Sequence, residues 1–145
     1  MGYTKIWIHI VWTTKNRRPL LIKEVRSVIF DHIKQYALKK SIYIDSLNGH
    51  LEHIHCLVSM GSGQNVEEVL RLLKGESSHW INQSKLLKEK FEWQDEYFAV
   101  SVSESAVDRV RRYIKNQEEH HRKKSFTEEY QKFRKSYGFD RLVSG

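Results

Sequence analysis

The sequence predicts an α+β sandwich of the ferredoxin-like or RRM-like kind: an antiparallel β-sheet with helices on one face, followed by an added C-terminal helix. Three observations carry this reading. The hydropathy pattern runs strand, helix, strand, strand, helix, strand. A length of 145 residues fits one core, so residues 1–145 are read as a single domain. Apolar residues at 39% beside 30% charged residues, with the apolar ones in periodic runs, mark a chain that folds rather than a disordered one.

Tyr3 to Thr14 is rich in Ile, Val, Trp and Thr, with Ile6, Ile8 and Ile10 on one face and Trp7, His9 and Val11 on the other, as in a strand covered on both sides. Lys15-Asn16-Arg17-Arg18-Pro19 is a basic loop. Lys23 to Lys40 carries Val25, Ile29, Ile33 and Ala37 at four-residue spacing, an amphipathic helix. Ile42 to Leu47 and His53 to Met60 read as strands around Asn48-Gly49-His50, whose Asn-Gly pair predicts a tight hairpin turn. Gly61-Ser62-Gly63 ends that strand, and Asn65 with Glu68 three residues later opens a helix striped by Val66, Leu70, Leu73 and Trp80. Glu96 to Val102 is the last strand. Ser103-Glu104-Ser105 then caps a long helix from about Ala106 to Lys124, and a final helix lies at Thr127 to Lys135.

Counting excludes several function classes. Cys56 is the sole cysteine, so neither a disulfide scaffold nor a cysteine zinc cluster can form, and a reducing cytoplasm is the expected location. No apolar run approaches the ~20 residues of a membrane span, and no secretory leader pattern opens the chain. Lys and Arg total 25 against 18 Asp and Glu, a net charge of +7 that favours a polyanionic partner.

The densest polar chemistry lies in His50-Leu51-Glu52-His53-Ile54-His55. On a strand His53 and His55 share a face, so they form either a two-imidazole metal site or a pair of ordinary surface histidines; a third ligand decides. Arg109, Tyr113, Gln117 and His121 follow at four-residue spacing and share a helix face, while Val107, Val110 and Ile114 form the inward stripe. Tyr113 and Gln117 there are either site residues or a half-buried tyrosine and a solvated amide.

Taken together, His53-Ile54-His55 and Tyr113-Ile114-Lys115-Asn116-Gln117 resemble the single-tyrosine HUH transposases of the insertion-sequence 200/605 family, which includes the REP-associated tyrosine transposases. The likeness extends through His9 to Lys15 with Arg17-Arg18-Pro19, Leu73-Lys74-Gly75 and Trp93 to Phe98. It implies that His53, His55 and Gln117 hold Mg²⁺ or Mn²⁺ and that Tyr113 is the nucleophile. It further implies cleavage and rejoining of single-stranded DNA at hairpin-bearing element ends through a 5′-phosphotyrosine. A homodimer with the tyrosine helix acting in trans is implied too, Ser101 to Ser105 being the hinge. Such neutral donors leave the ion's charge free to act on a phosphate.

The residues Arg109 to Lys124 hold seven basic side chains against two acidic ones, a local charge of +5 on the tyrosine segment. Arg17, Arg18, Lys74, His79, Arg109, Arg111, Arg112 and Lys115 are the candidate phosphate contacts, and Trp12 or Trp93 is a candidate base-stacking platform; solvated loops and core tryptophans are the competing reading. A histidine-triad hydrolase fails because position 57 is Leu57. A non-catalytic RRM-like module would need paired exposed aromatics on its strands and has no use for Tyr113. A domesticated nuclease that binds repetitive palindromes without moving an element shares every motif above.

Overall fold

In a computed structural model, which describes residues 2–138, four strands form one antiparallel sheet in the order β2-β3-β1-β4. The strands are β1 (Trp7–Thr14), β2 (Tyr43–Gly49), β3 (His53–Ser59) and β4 (Trp93–Val102). Helices α1 (Lys23–Lys39) and α2 (Val66–Gln83) connect them, and α3 (Val107–Lys115), α4 (Gln117–Lys123) and α5 (Phe126–Ser136) follow. The α+β sandwich is therefore as the alternation of strands and helices predicts.

Side chains alternate across the central strands, and each face has its own partner layer. Ile10, Trp12, Ile54, Cys56 and Val58 face α1 and α2, meeting Ile29, Ile33, Ala37, Leu70, Leu73 and Ile81 in the main core. On the opposite face Trp7 and Leu57 pack against Val107 and Ile114 of α3, and Val11 and Phe98 against Phe126 of α5. The same alternation leaves His9, His53 and His55 on that second face, all buried.

Four boundaries differ from the sequence reading. β1 begins at Trp7 rather than Tyr3, because its sheet partners end at Ser59 and Val102, both of which pair with Trp7. β4 begins at Trp93 rather than Glu96. Phe91 and Trp93 are buried edge to face, and the Asn82 side chain both donates to the Phe91 carbonyl and accepts from its N–H, so the strand is held from its first residue.

The predicted Asn48-Gly49 turn is instead strand. Asn48 pairs with His55 and Gly49 with Ile54, and the turn falls at residues 50–52. Two contacts select this register. The Asn48 amide donates to the carbonyls of Ile114 and Lys115, and Gly49 lies so close to the His53 carbonyl that a Cβ there would collide with it.

The long helix predicted from Ala106 to Lys124 breaks at Asn116 (φ −97°, ψ 30°), giving α3 and α4. Asn48 occupies the carbonyls that end α3, which supplies the side-chain partner a helix terminus needs. Arg26, buried on α1, then donates to the Leu21 carbonyl and to Glu118, anchoring α4.

Trp12 and Trp93 are core residues, 1% and 7% exposed, and meet edge to face at 5.9 Å, with Trp93 Nε1 donating to Ser77. Neither is a platform for a base. No helix among the described residues is long and apolar enough to cross a membrane.

Candidate active site

β3 delivers His53 and His55 to the second face of the sheet, α3 brings Tyr113 over them, and the break at Asn116 turns Gln117 inward until it is fully buried. His53 Nε2 lies 3.1 Å from Gln117 Oε1, and the rings of His55 and Tyr113 are 5.4 Å apart. All four residues singled out for chemistry thus meet at one place. Tyr113 and Gln117 do so from two helices rather than from one continuous face.

The structure adds residues that the motif reading missed. Glu129 of α5 is 2% exposed, and its Oε1 lies 3.1 Å from His55 Nε2 and 3.6 Å from His53 Nε2. The Tyr113 hydroxyl donates to Glu129 Oε2. His9 of β1 lies behind His55, with His9 Nε2 2.9 Å from His55 Nδ1, and Glu52 accepts from His53 Nδ1 at 2.7 Å. A carboxylate therefore joins a donor set expected to be neutral. Glu129 does leave a trace in the sequence, being a charged residue among Phe126, Tyr130 and Phe133 at helical spacing.

The hydrogen bonds of these side chains fit a cation. With the proton on His53 Nδ1 donated to Glu52, the lone pair of Nε2 points toward the Gln117 oxygen. The Gln117 amide N–H₂ is engaged on the Tyr113 carbonyl, so the end facing His53 is an acceptor. Acceptor thus faces acceptor in a buried space, an arrangement a metal ion between them satisfies. His53, His55 and Glu129 form a group that could hold a metal ion.

Burial, with the neighbouring His55, lowers His9 to about 3, and burial lowers His55 to about 4 from an ordinary 6.5. Burial alone would raise Glu129, but its contacts with His55 and the Tyr113 hydroxyl hold it at about 2. Burial and the Glu129 charge raise the Tyr113 phenol.

The unfolded chain takes up protons on these histidines near pH 6.5 whereas the folded chain does not, so their contribution is complete above pH 6.5 and is lost toward pH 4. Glu129 adds loss in the same direction at lower pH. Urea titrations of metal-free protein are expected to give a midpoint that falls continuously from pH 7 to pH 4.5; a flat profile would contradict neutral buried histidines.

Among the candidate phosphate contacts, the structure separates two groups. Arg109 and Arg112 line a groove of about 610 Å³ beside Tyr113, together with His120, Lys123 and Lys124. Lys115 is exposed outside it. Arg111, Arg18, Lys74 and Arg17 are engaged within the fold. Arg111 is paired with Asp45 and Asp108, Arg18 with Glu89, and Lys74 donates to the carbonyls of Gln94 and Asp95. The Arg17 guanidinium lies over the rings of Phe126 and Tyr130, at 5.2 and 4.9 Å, and helps seat α5. His79 is exposed on α2. Ser101 and Val102, taken as part of a hinge, are paired strand, and Trp7 donates to Glu104 just beyond them.

Known proteins resemble this chain in both sequence and fold. Residues 2–117 match the family model described as transposase IS200 like. The chain is 26% identical over 122 residues to the ISDra2 transposase TnpA of Deinococcus radiodurans, covering 80% of this chain and 87% of that one. A crystal structure of a Deinococcus radiodurans R1 protein assigned to the transposases superposes with a TM-score of 0.66 at 25% identity, covering 81% of this chain and 95% of that one. The fold is shared also with a REP-associated tyrosine transposase bound to a REP hairpin, at TM-score 0.63 and 18% identity, over 83% and 72% of the two chains. The chain belongs to the IS200-like transposase family and is a DNA transposase, a DNA-cleaving enzyme of mobile elements.

Proposed function

We propose that this transposase cleaves and rejoins single-stranded DNA at hairpin-bearing ends through a covalent 5′-phosphotyrosine on Tyr113, and that residues 1–145 act as one domain. The observation that carries the reading is the convergence of buried His53, His55 and Gln117 on Tyr113, which itself lines a basic groove. The hairpin partner is inferred from the REP-associated neighbour, whose structure holds one.

His53, His55 and Gln117 would hold Mg²⁺ or Mn²⁺, with Glu129 within reach as a further donor. When bound there, such an ion supplies a Lewis acid that polarises the scissile phosphate. Tyr113 Oη attacks phosphorus, the P–O3′ bond breaks, and the 3′ oxygen leaves and takes up a proton. The phenol proton passes to a base, for which Glu129 is the acceptor already in contact. Because one phosphoester bond replaces another, the reverse attack by a 3′-hydroxyl rejoins DNA without ATP. His9 fixes the His55 ring from behind, and Glu52 fixes His53. Tyr113 stands over the histidines of its own chain, so the arrangement in this structure is cis; a homodimer exchanging these helices would place it in trans.

The test uses end-labelled single-stranded hairpin DNA. With Mg²⁺ or Mn²⁺ the protein is expected to give an adduct that survives SDS, and EDTA is expected to abolish it. Adduct formation at full rate in EDTA would remove the metal from the mechanism.

The groove makes a second expectation. Arg109→Ala and Arg112→Ala should each reduce the salt slope of single-stranded DNA affinity by roughly 0.7, one phosphate contact apiece. Arg111→Ala, whose guanidinium is occupied by Asp45, should leave the slope unchanged. Fluorescence anisotropy over a salt series reads both, and equal slopes for all three variants would reject the groove as the DNA track.

A further inference from the structure

Glu129 stands between two sets of imidazoles. Its Oε1 faces His55 and His53, while Oε2 lies 2.8 Å from His120 Nε2 and 3.7 Å from His121 Nε2. Both triads, His53–His55–Glu129 and His120–His121–Glu129, bring one donor atom per residue within 4.8 Å of one another. His120 and His121 take no part in the cleavage step at Tyr113 and so have no role yet.

The second triad has features of a ligand set. His121 Nδ1–H donates to the Lys124 carbonyl at 2.9 Å, which leaves the Nε2 lone pair pointing inward, 3.1 Å from the Gln117 oxygen. The Gln117 oxygen therefore faces a second imidazole lone pair, at the same 3.1 Å as its contact with His53 Nε2. His120 is about one quarter exposed and lines the basic groove, which gives an ion a path in from solvent. A carboxylate has about four lone-pair sites, enough to bridge two ions and still accept from Tyr113.

We propose that His120, His121 and Glu129 form a second divalent-metal site, in which the Glu129 carboxylate bridges an ion held there to one held on His53 and His55. Two imidazoles and one carboxylate with a fourth position open suit a borderline transition ion, Zn²⁺ or Co²⁺, rather than Mg²⁺. His120 and Tyr113 line the same groove, so the site is reached from the side on which DNA would lie. An ion there ties α4 to α5 and so fixes the two helices that close over the histidines of β3.

The proposal rests on the preceding reading only through the first ion. Metal-free full-length protein is dialysed against Co²⁺ and the bound ion counted by mass spectrometry, with the visible Co²⁺ bands followed in parallel. Wild type is expected to hold two ions per chain, a His120→Ala, His121→Ala variant one, and a His53→Ala, His55→Ala variant one. A single ion in wild type that is lost with His53 and His55 overturns the second site and leaves the first intact. No bound ion in wild type overturns both. Two ions retained in the His120, His121 variant also overturn it. His120→Gln, His121→Gln, which keeps polar side chains at both positions, must show the same loss with an unchanged circular dichroism spectrum.

Discussion

Tyr113→Phe is expected to abolish the SDS-resistant DNA adduct and to slow single-turnover strand cleavage on the order of 10⁴-fold, with DNA affinity changed less than about twofold. The contrast arises from what the hydroxyl touches. The ring packs against His55, His9 and Phe133, at centroid distances of 5.4, 6.3 and 6.0 Å, and phenylalanine keeps those contacts. The hydroxyl's bond to Glu129 and its 3.5 Å contact with His120 Nε2 are lost, and that carboxylate retains His55 and His120. The groove arginines are untouched. An adduct formed by the Phe variant would identify a different nucleophile, and a loss of affinity equal to the loss of rate would assign Tyr113 to binding.

Gly49→Ala carries the largest expected effect on the fold. Its Cβ meets backbone, the His53 carbonyl oxygen, rather than the end of a side chain that can turn away. Relief requires the β2 and β3 strands to separate where Gly49 pairs with Ile54. We expect a loss of about 3 kcal/mol, or roughly 10 °C in Tm. The displaced carbonyl belongs to His53 and also accepts from the His50 N–H, so the disturbance reaches the pocket directly. Mn²⁺ affinity should therefore fall at least about tenfold in the fraction that remains folded. Calorimetry and Mn²⁺ electron paramagnetic resonance read the two effects, and an unchanged Tm would mean that the close approach of β2 and β3 is not obligatory.

The parts of this molecule that were legible in the sequence are those governed by local periodicity. Alternation along His9 to Thr14 and His53 to Met60 gives strands with the right faces, and four-residue spacing gives α1 and α2. The Asn65 cap forms as expected, accepting from the Glu68 N–H. Where tertiary contacts override local preference, the sequence reading fails. Asn-Gly is a strong turn signal, yet Asn48 is drawn into β2 because its amide terminates a helix 66 residues away. The continuous helix pattern through Asn116 is cut by that same contact. The pocket divides in the same way: His53, His55, Tyr113 and Gln117 are picked out by their combined resemblance to a family motif, spacing alone leaving each pair open, whereas His9 and Glu129 reach the pocket only by register across the sheet and by the seating of α5. The basic residues were the least readable, since charge alone does not tell Arg112 in a groove from Arg111 held by Asp45.

The position of α5 bears on how such a protein diversifies. Everything matched by the family model ends at residue 117, while Glu129 and the Phe126 and Tyr130 rings clasped by Arg17 lie beyond it. The Glu129 charge inside the pocket is thus brought by a segment beyond the matched residues, held by the stacked Arg17 guanidinium, by aromatic contacts and by the bonds of Glu129 and Tyr130. Substitutions in that segment can change the charge of the pocket one residue at a time while the identities of the histidines, the tyrosine and the sheet residues beneath them stay the same.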